Sequence, residues 1–373
     1  MQTVTLSANT SWYLYNFRAS TIRRLLADGY RVVCLSPDDG YASKLENELG
    51  CEWFPLTIDN KGSSPLKDMG LVVQFWRLYS RLKPVAAFHF TIKNNVYGTW
   101  AARVLGVPSI NNVSGLGTAF IRSGVVAAIA RLLYKTSMPL AYRVFCQNEE
   151  DFQLLIEKNL VPASRLVLLP GSGVDVEQFQ PDLIEPHGGV FRFLYAGRML
   201  ADKGLFELIE AVKAINAASL RCELWLCGFA DVENVSAISE AQLQEWGNEP
   251  GIKWLGPTDD MVKVYAQVNC VVLPSYREGM PRSLVEAGAM GLPVVATNVP
   301  GCQNIIEDGY NGLLCEVKSR ESLGAAMQKM LDMPHAERRA LGTNGRALVV
   351  GKFSESVVID AAIETMRSIK NGR

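Results

Sequence analysis

Two carboxylates, Glu278 and Glu286, stand eight positions apart in the segment Ser275-Tyr-Arg-Glu278-Gly-Met-Pro-Arg-Ser-Leu-Val-Glu286. A carboxylate accepts paired hydrogen bonds from vicinal hydroxyls, as a ribose or a hexose presents them, so the two could read two different sugars. Pro281 suits the first turn of a helix that would carry Glu286 a little over two turns on from Glu278. Free amides from Gly279 to Ser283 at that helix start would favour negative charge. The plainer account is a helix-start acid and a buried, satisfied one, and spacing alone does not separate the two. Upstream, Gly197-Arg198-Met-Leu-Ala-Asp-Lys203-Gly204 places two cations five apart where a strand gives way to a helix. That pair could grip a diphosphate, or merely flank a helix as surface charge. No Asp-x-Asp clamp for a metal-bound diphosphate occurs in the chain, so cations and backbone amides would have to hold one. A phosphate loop of the form G-x-x-x-x-G-K-[ST] is absent, and Gly115-Leu-Gly117 lacks the third glycine of a dinucleotide loop.

The elements that must position these residues read as alternating β-branched runs and amphipathic stretches, the pattern of parallel sheets covered by helices on both faces. In the first half the expected strands are Thr3 to Ser7, Arg31 to Ser36, Glu52 to Pro55, Val85 to His89, Ser109 to Val113, Arg143 to Gln147 and Leu166 to Leu169. Helices fill the gaps, among them Tyr15 to Asp28 and Leu66 to Leu82. A Gly- and Pro-rich stretch from Pro170 to Gly189 reads as a linker. The alternation then restarts with Phe191 to Ala196, Glu223 to Cys227, Ile252 to Leu255, Cys270 to Pro274, Pro293 to Thr297 and Gly312 to Cys315. The α/β pattern predicts two doubly wound Rossmann-like domains facing each other across a cleft, residues 1–170 and 171–353. A last helix, 354–373 with Ser354 as its cap, would cross back to the N-terminal domain. Ligands in such sheets sit beyond the carboxyl ends of the strands.

Composition narrows the partners. The 373 residues carry 37 Lys and Arg against 38 Asp and Glu, but residues 1–180 are +4 and the remainder −5. Residues 69–148 hold no acid at all, where the chain average would put about eight, yet contain Arg77, Arg81, Lys83, Lys93, Arg103, Arg122, Arg131, Lys135 and Arg143. A solvated basic face explains this, and so does a phosphate-bearing partner: nucleic acid, anionic lipid or a diphosphate. Ile121 to Tyr142 mixes apolar and basic residues as an amphipathic helix at a membrane surface would, although a core helix with snorkelling ends reads almost the same. No nucleic-acid-binding signature is legible. Eight scattered cysteines without a C-x-x-C and only three histidines favour neither a disulfide framework nor a metal site. No run approaches the roughly 18 apolar residues of a spanning helix. The N-terminus reads as a strand rather than a leader, which predicts a cytoplasmic location.

Glu278-x7-Glu286, G-R-x4-K-G at 197–204, PVVAT at 293–297 and NGLL at 311–314 together resemble the retaining nucleotide-sugar glycosyltransferases of the GT-B fold, glycosyltransferase family 4. The N-terminal stretches SANTSWYLYNFR, HFTIKNNVYGTWAARVLGVPSINNVSGLGT and PGSGVD are similar to the bacterial subgroup that extends undecaprenyl-diphosphate-linked sugars in O-antigen, capsule and glycan precursor assembly, including the PglA-type N-acetylgalactosaminyltransferases. The chain departs from the wider family at its first loop, where Asn9 to Arg18 stands in place of a Gly-Gly turn.

The resemblance implies a UDP-sugar donor, probed by Arg198, Lys203, Gly228, Thr258, Glu278, Gly279, Met280, Pro281, Ser283, Leu284 and Glu286. Glu286 would bind the ribose, Glu278 the transferred sugar, and Arg198 with Lys203 the diphosphate. It implies catalytic roles for Glu278, His89, Arg198 and Lys203, and acceptor contacts from Asn9, Tyr15, Asn16, Arg18, Lys93, Asn94, Ser114 and Gly115. Lys93 and Arg18 are the expected acceptor-phosphate contacts. No metal or other cofactor is implied. The reaction would be retaining, moving a HexNAc such as GalNAc to a polyprenyl-diphosphate-linked glycan. Cleft closure would exclude water, and the basic N-terminal domain would rest peripherally on the inner face of the cytoplasmic membrane. A GT-B sugar-nucleotide epimerase or hydrolase acting on a soluble UDP-sugar is the alternative.

Overall fold

The computed structural model describes residues 1–59, 65–116, 125–184, 189–231 and 234–372, leaving aside the side chains of residues 65–67 and 125–127. Its contacts divide the chain into two compact units, residues 1–172 with 356–373, and residues 173–355.

The first unit is built on seven parallel strands: β1 (Thr3–Ser7), β2 (Arg31–Ser36), β3 (Glu52–Pro55), β4 (Ala86–Phe90), β5 (Ser109–Val113), β6 (Arg143–Cys146) and β7 (Leu166–Leu168), in the order β3-β2-β1-β4-β5-β6-β7. Strands such as β1 and β4 are buried along their whole length, because helices cover both faces and every side chain meets a core. The helices are α1 (Ser11–Ala27), α2 (Ala42–Asn47), α3 (Pro65–Leu82), α4 (Thr99–Val104), α5 (Val125–Ser137) and α6 (Glu149–Glu157). One face packs Val33, Ala87, Val113 and Val144 against Phe75 and Tyr79 of α3, Ala101 of α4 and Tyr134 of α5. The other packs Val4, Leu6, Phe88 and Phe90 against Leu14 and Ile22 of α1.

The second unit repeats the winding with six parallel strands: β8 (Phe191–Ala196), β9 (Cys222–Cys227), β10 (Ile252–Gly256), β11 (Cys270–Leu273), β12 (Val294–Thr297) and β13 (Gly312–Cys315), in the order β10-β9-β8-β11-β12-β13. Its helices are α7 (Leu205–Ile215), α8 (Glu240–Gly247), α9 (Met261–Tyr265), α10 (Arg282–Ala289), α11 (Pro300–Gln303), α12 (Arg320–Asp332) and α13 (His335–Lys352). The last helix, α14 (Glu355–Asn371), starts one residue after Ser354. Its Val358, Ala362, Ile363, Met366 and Ile369 complete the apolar cluster of the first unit that contains Val4 and Phe88.

Two expectations from the sequence need correction. Asn9 to Arg18 is not a loop: α1 starts at Ser11, because Thr10 accepts the Tyr13 amide at 3.1 Å and caps the helix. The strand expected from Val85 to His89 is shifted one residue on, so that Phe90 is its last member. The boundary between the two units, Ser172/Gly173, falls inside the Gly/Pro-rich stretch read as a linker, and the residues after it are fastened to the second unit: the Arg346 guanidinium donates to the carbonyls of Val176 and Phe179 at 2.9 and 2.6 Å. Residues 185–188 of that stretch, and Gly117 and Arg122 of the basic segment, lie outside the described residues. All eight cysteines are buried free thiols.

Candidate active site

In the second sheet the winding reverses between β8 and β11, the place where doubly wound sheets open a crevice for ligand. The loop leaving β8 lies against the ends of both neighbours because two glycines permit it. Gly228 (φ 147°) would put a Cβ 1.9 Å from the Gly197 carbonyl, and Gly204 (φ 73°) would put one 2.1 Å from the Pro274 carbonyl. No side chain fits at either position, and both backbones sit where glycine alone is unstrained. The Tyr195 hydroxyl donates to the Arg198 carbonyl at 2.8 Å and pins the loop from below.

That close approach puts Lys203, the residue before Gly204, onto Glu278. Lys203 Nζ stands 2.6 Å from Glu278 Oε1, and Ser275 Oγ donates to the same oxygen at 2.6 Å. Both charges are largely desolvated, with the lysine side chain 18% and the glutamate 11% exposed. With Oε1 held twice, Oε2 has no partner among the described residues and is open to a sugar hydroxyl. A lysine ammonium has three donors, so Lys203 can hold Glu278 and still present hydrogens to a phosphate. Arg198 is exposed and makes no ion pair among the described residues.

Pro281 caps α10 rather than lying in its first turn: the helix begins at Arg282, and Glu286 lies about one turn into it. Glu286 is only 8% exposed. Arg282 Nε donates to its Oε1 at 2.6 Å, and the Tyr265 hydroxyl donates to its Oε2 at 3.0 Å. Burial, and then the neighbouring Glu286 charge, push the Tyr265 phenol well above its usual range, so it is a permanent donor. Of the remaining expected donor residues, Gly279, Met280 and Ser283 are half-buried, Pro281 is buried, and Thr258 is exposed with its hydroxyl accepting the Asp260 amide at 3.1 Å. The Leu284 side chain belongs to the apolar core, which leaves only its backbone for a ligand.

Reasoning from the sequence overlooked Ser275, Tyr265, Arg282 and a further pair, Tyr276 and Glu207. The Tyr276 hydroxyl donates to Glu207 Oε1 at 2.6 Å, and its amide donates to the Asp202 carbonyl at 2.9 Å. The loop bearing Glu278 is thereby fastened to the helix start that bears Lys203. Burial and Glu207 raise the Tyr276 phenol to about 12. Only the adjacency of Tyr276 to Ser275 and Glu278 hinted at this in the sequence.

In the first unit His89 is fully buried, with its Nε2 2.8 Å from the Tyr79 hydroxyl and its Nδ1 2.9 Å from Asn111 Oδ1. Desolvation lowers its pKa to about 4, so it is neutral and both ring nitrogens are occupied within the protein. Lys93 does not stand out as an unpaired cation: its Nζ is 2.7 Å from Asp68, which also accepts from the Tyr97 hydroxyl at 2.8 Å. The Tyr15 hydroxyl donates to Glu48, and Asn16 donates to its own helix at the Trp12 carbonyl, 3.0 Å away. Asn9 and Gly115 are half-buried and Ser114 is exposed. Asn94 and Arg18 are both buried at the carboxyl edge of the sheet. Among the described residues no three His, Cys, Asp or Glu side chains gather as a metal site.

The family described as Glycosyl transferases group 1 matches residues 180–348, the segment that carries both glutamates, and the family described as Glycosyl transferase 4-like domain matches residues 17–171. The chain belongs to the GT-B glycosyltransferases of family 4. This glycosyltransferase is 26% identical over 335 residues to the capsular polysaccharide biosynthesis glycosyltransferase CapM of Staphylococcus aureus, covering 87% of this chain and 86% of that one. It is 26% identical over 342 residues to the N,N'-diacetylbacillosaminyl-diphospho-undecaprenol alpha-1,3-N-acetylgalactosaminyltransferase of Campylobacter jejuni, covering 86% of each. Its fold is that of Anabaena Alr3699/HepE in complex with UDP and glucose, with a TM-score of 0.81 at 18% identity over 99% of this chain and 100% of that one.

Proposed function

We propose that this glycosyltransferase moves a HexNAc, such as GalNAc, from a UDP-sugar to a sugar carried on undecaprenyl diphosphate, with retention of anomeric configuration and without a metal ion. The observation that carries the reading is the paired carboxylate arrangement at the β8/β11 crevice: Glu278, with one oxygen open, for the transferred sugar, and Glu286, held by Tyr265 and Arg282, for the ribose. The Campylobacter relative, named for an undecaprenol-linked acceptor and the transfer of N-acetylgalactosamine, supports the choice of substrates.

In this mechanism the acceptor hydroxyl attacks the anomeric carbon on the face the diphosphate leaves. The bond from that carbon to the diphosphate oxygen breaks, the bond to the acceptor oxygen forms, and the hydroxyl proton passes to the departing diphosphate. Negative charge grows on the leaving group, and Arg198, Lys203 and the amides at the start of α10 are the groups that stabilise it. His89, neutral and fully engaged, acts by holding the β4 and β5 ends rather than by proton transfer.

No helix among the described residues is long and apolar enough to cross a membrane. The outer faces of α3, α4 and α5 nevertheless expose Met69, Trp76, Val104, Ile129 and Leu132 alongside exposed Arg77, Arg103 and Lys135. That mixture of apolar and basic side chains suits the surface of an anionic bilayer and supports peripheral attachment on the cytoplasmic side.

The test is to incubate purified protein, with EDTA, with a panel of UDP-sugars and a polyprenyl-diphosphate-linked HexNAc, and to read the lipid mass. A lipid heavier by one HexNAc is expected. A free sugar or an isomerised nucleotide with an unchanged lipid would instead establish the hydrolase or epimerase reading, and activity lost to EDTA would overturn metal independence.

A further inference from the structure

Arg18 is among the largest fully buried side chains of the molecule, at 2% exposure, and it has no carboxylate partner among the described residues. Its guanidinium lies 4.4 Å from the centroid of the Phe90 ring and 5.7 Å from that of Tyr13. Among the described residues its one hydrogen bond is from Nη2 to the Tyr13 hydroxyl at 3.1 Å, and Nε has no partner. Lys93, the other cation expected near an acceptor phosphate, has Asp68 at 2.7 Å. A guanidinium cannot shed its proton, so a buried one without a counter-ion is strongly unfavourable unless something else supplies negative charge.

The placement says what that something is. Arg18 lies on α1, the helix that follows β1, and Phe90 is the last residue of β4; β1 and β4 are the neighbours between which the first sheet reverses its winding. Helix side chains lean toward the helix N-terminus, here the carboxyl edge of the sheet, where ligands of this architecture bind. At the same edge Asn94 is fully buried, its Nδ2 bonded to Thr91 Oγ1 at 3.0 Å and its Oδ1 without a partner among the described residues. A donor fork lacking an anion and an acceptor lacking a donor together match a phosphate attached to a hydroxyl-bearing sugar.

We propose that Arg18 is a phosphate-binding residue for the diphosphate of the lipid-linked acceptor, with the half-buried Tyr13 hydroxyl standing where a phosphate oxygen will sit and turning aside on binding. Asn94 Oδ1 then accepts a hydroxyl of the adjoining sugar. The assignment rests on the lipid-diphosphate reading above.

The experiment compares full-length wild type, Arg18→Met and Arg18→Lys in three measurements: the acceptor KM, UDP affinity by calorimetry, and, with the donor site saturated by UDP, the thermal midpoint with and without inorganic pyrophosphate. Removing an unpaired buried cation for an apolar side chain of similar length relieves the fold, so Arg18→Met is expected to melt at or above the wild-type temperature. It should raise the acceptor KM at least tenfold with UDP affinity unchanged, and lose the pyrophosphate-induced rise in midpoint that wild type shows. Arg18→Lys recovers part of both. A lower midpoint, or failure to fold, in Arg18→Met with an unchanged acceptor KM in Arg18→Lys makes Arg18 structural and overturns the proposal. Weakened UDP binding instead moves the site to the donor. Should wild type elongate no lipid diphosphate at all, the parent reading fails, and the pyrophosphate measurement still decides the Arg18 site on its own.

Discussion

Lys203 Nζ and Glu278 Oε1 are 2.6 Å apart, although 75 residues separate them in the chain. The pair joins the group expected to meet the leaving diphosphate to the group expected to meet the sugar, so neither can be altered without disturbing the other. Lys203→Gln is expected to lower kcat by about 10²–10³-fold, the usual effect of losing one charge-stabilising donor. It should also destabilise the fold by about 1–3 kcal/mol, since the Glu278 carboxylate would keep only Ser275. Steady-state kinetics with a denaturant midpoint measure both; a variant of full activity would remove Lys203 from the mechanism.

Glu286 predicts a different kinetic signature. Glu286→Gln and Tyr265→Phe both weaken the group proposed to hold the ribose, so UDP affinity should fall by about tenfold, the effect of a hydrogen bond to a charged group, while turnover at saturating donor changes little. Calorimetry with UDP alone checks this. Unchanged UDP binding in Glu286→Gln would exclude it from the ribose site.

Tyr276 and Glu207 should behave as one device, because each matters only through their shared 2.6 Å hydrogen bond. Tyr276→Phe and Glu207→Gln are each expected to reduce kcat by about five- to tenfold, and the double variant by little more than either, a coupling of about 1 kcal/mol. Strictly additive losses would show that the two residues act separately.

Burial of His89 makes the first unit sensitive to acid. The unfolded chain takes up this proton near the ordinary value of 6.5 and the folded chain only near 4, so in that window the unfolded state binds more protons and stability rises with pH. The contribution is complete above the unfolded value and is lost as pH falls toward 4, by on the order of 3 kcal/mol. Denaturant midpoints at several pH values should show this slope in wild type and a flatter one in His89→Gln.

Reversing the charges of Arg131 and Lys135 on α5 tests membrane attachment. If each basic residue at an anionic surface is worth about 1 kcal/mol, sedimentation with vesicles containing anionic lipid should fall by about tenfold or more in the double Glu variant, with activity toward a short-chain acceptor kept. Unaltered sedimentation would remove α5 from the attachment surface.

Much of this was legible in the sequence because it is local. Runs of β-branched and apolar residues between amphipathic stretches mark the strands of both sheets to within about a residue, since each strand must bury itself between helices wherever it lies. Glu278, Glu286, Arg198 and Lys203 were legible as residue types at telling spacings. Thr10 before an aromatic run is the local signal for the cap that makes Asn9 to Arg18 mostly helix, and α1 begins four residues earlier than its periodicity alone implies.

Partnership was decided only by the tertiary structure. Nothing in the spacing of Lys203, Ser275 and Glu278 says that two donors meet one oxygen; that follows from parallel pairing of β8 with β11 and from Gly204 fitting under the Pro274 carbonyl. By the same token Lys93 and Arg18 read alike as cations, until folding set one 2.7 Å from Asp68 and buried the other between Phe90 and Tyr13. Patterning depends on where each residue falls along its own element, whereas charge compensation depends on which elements the sheet order makes neighbours.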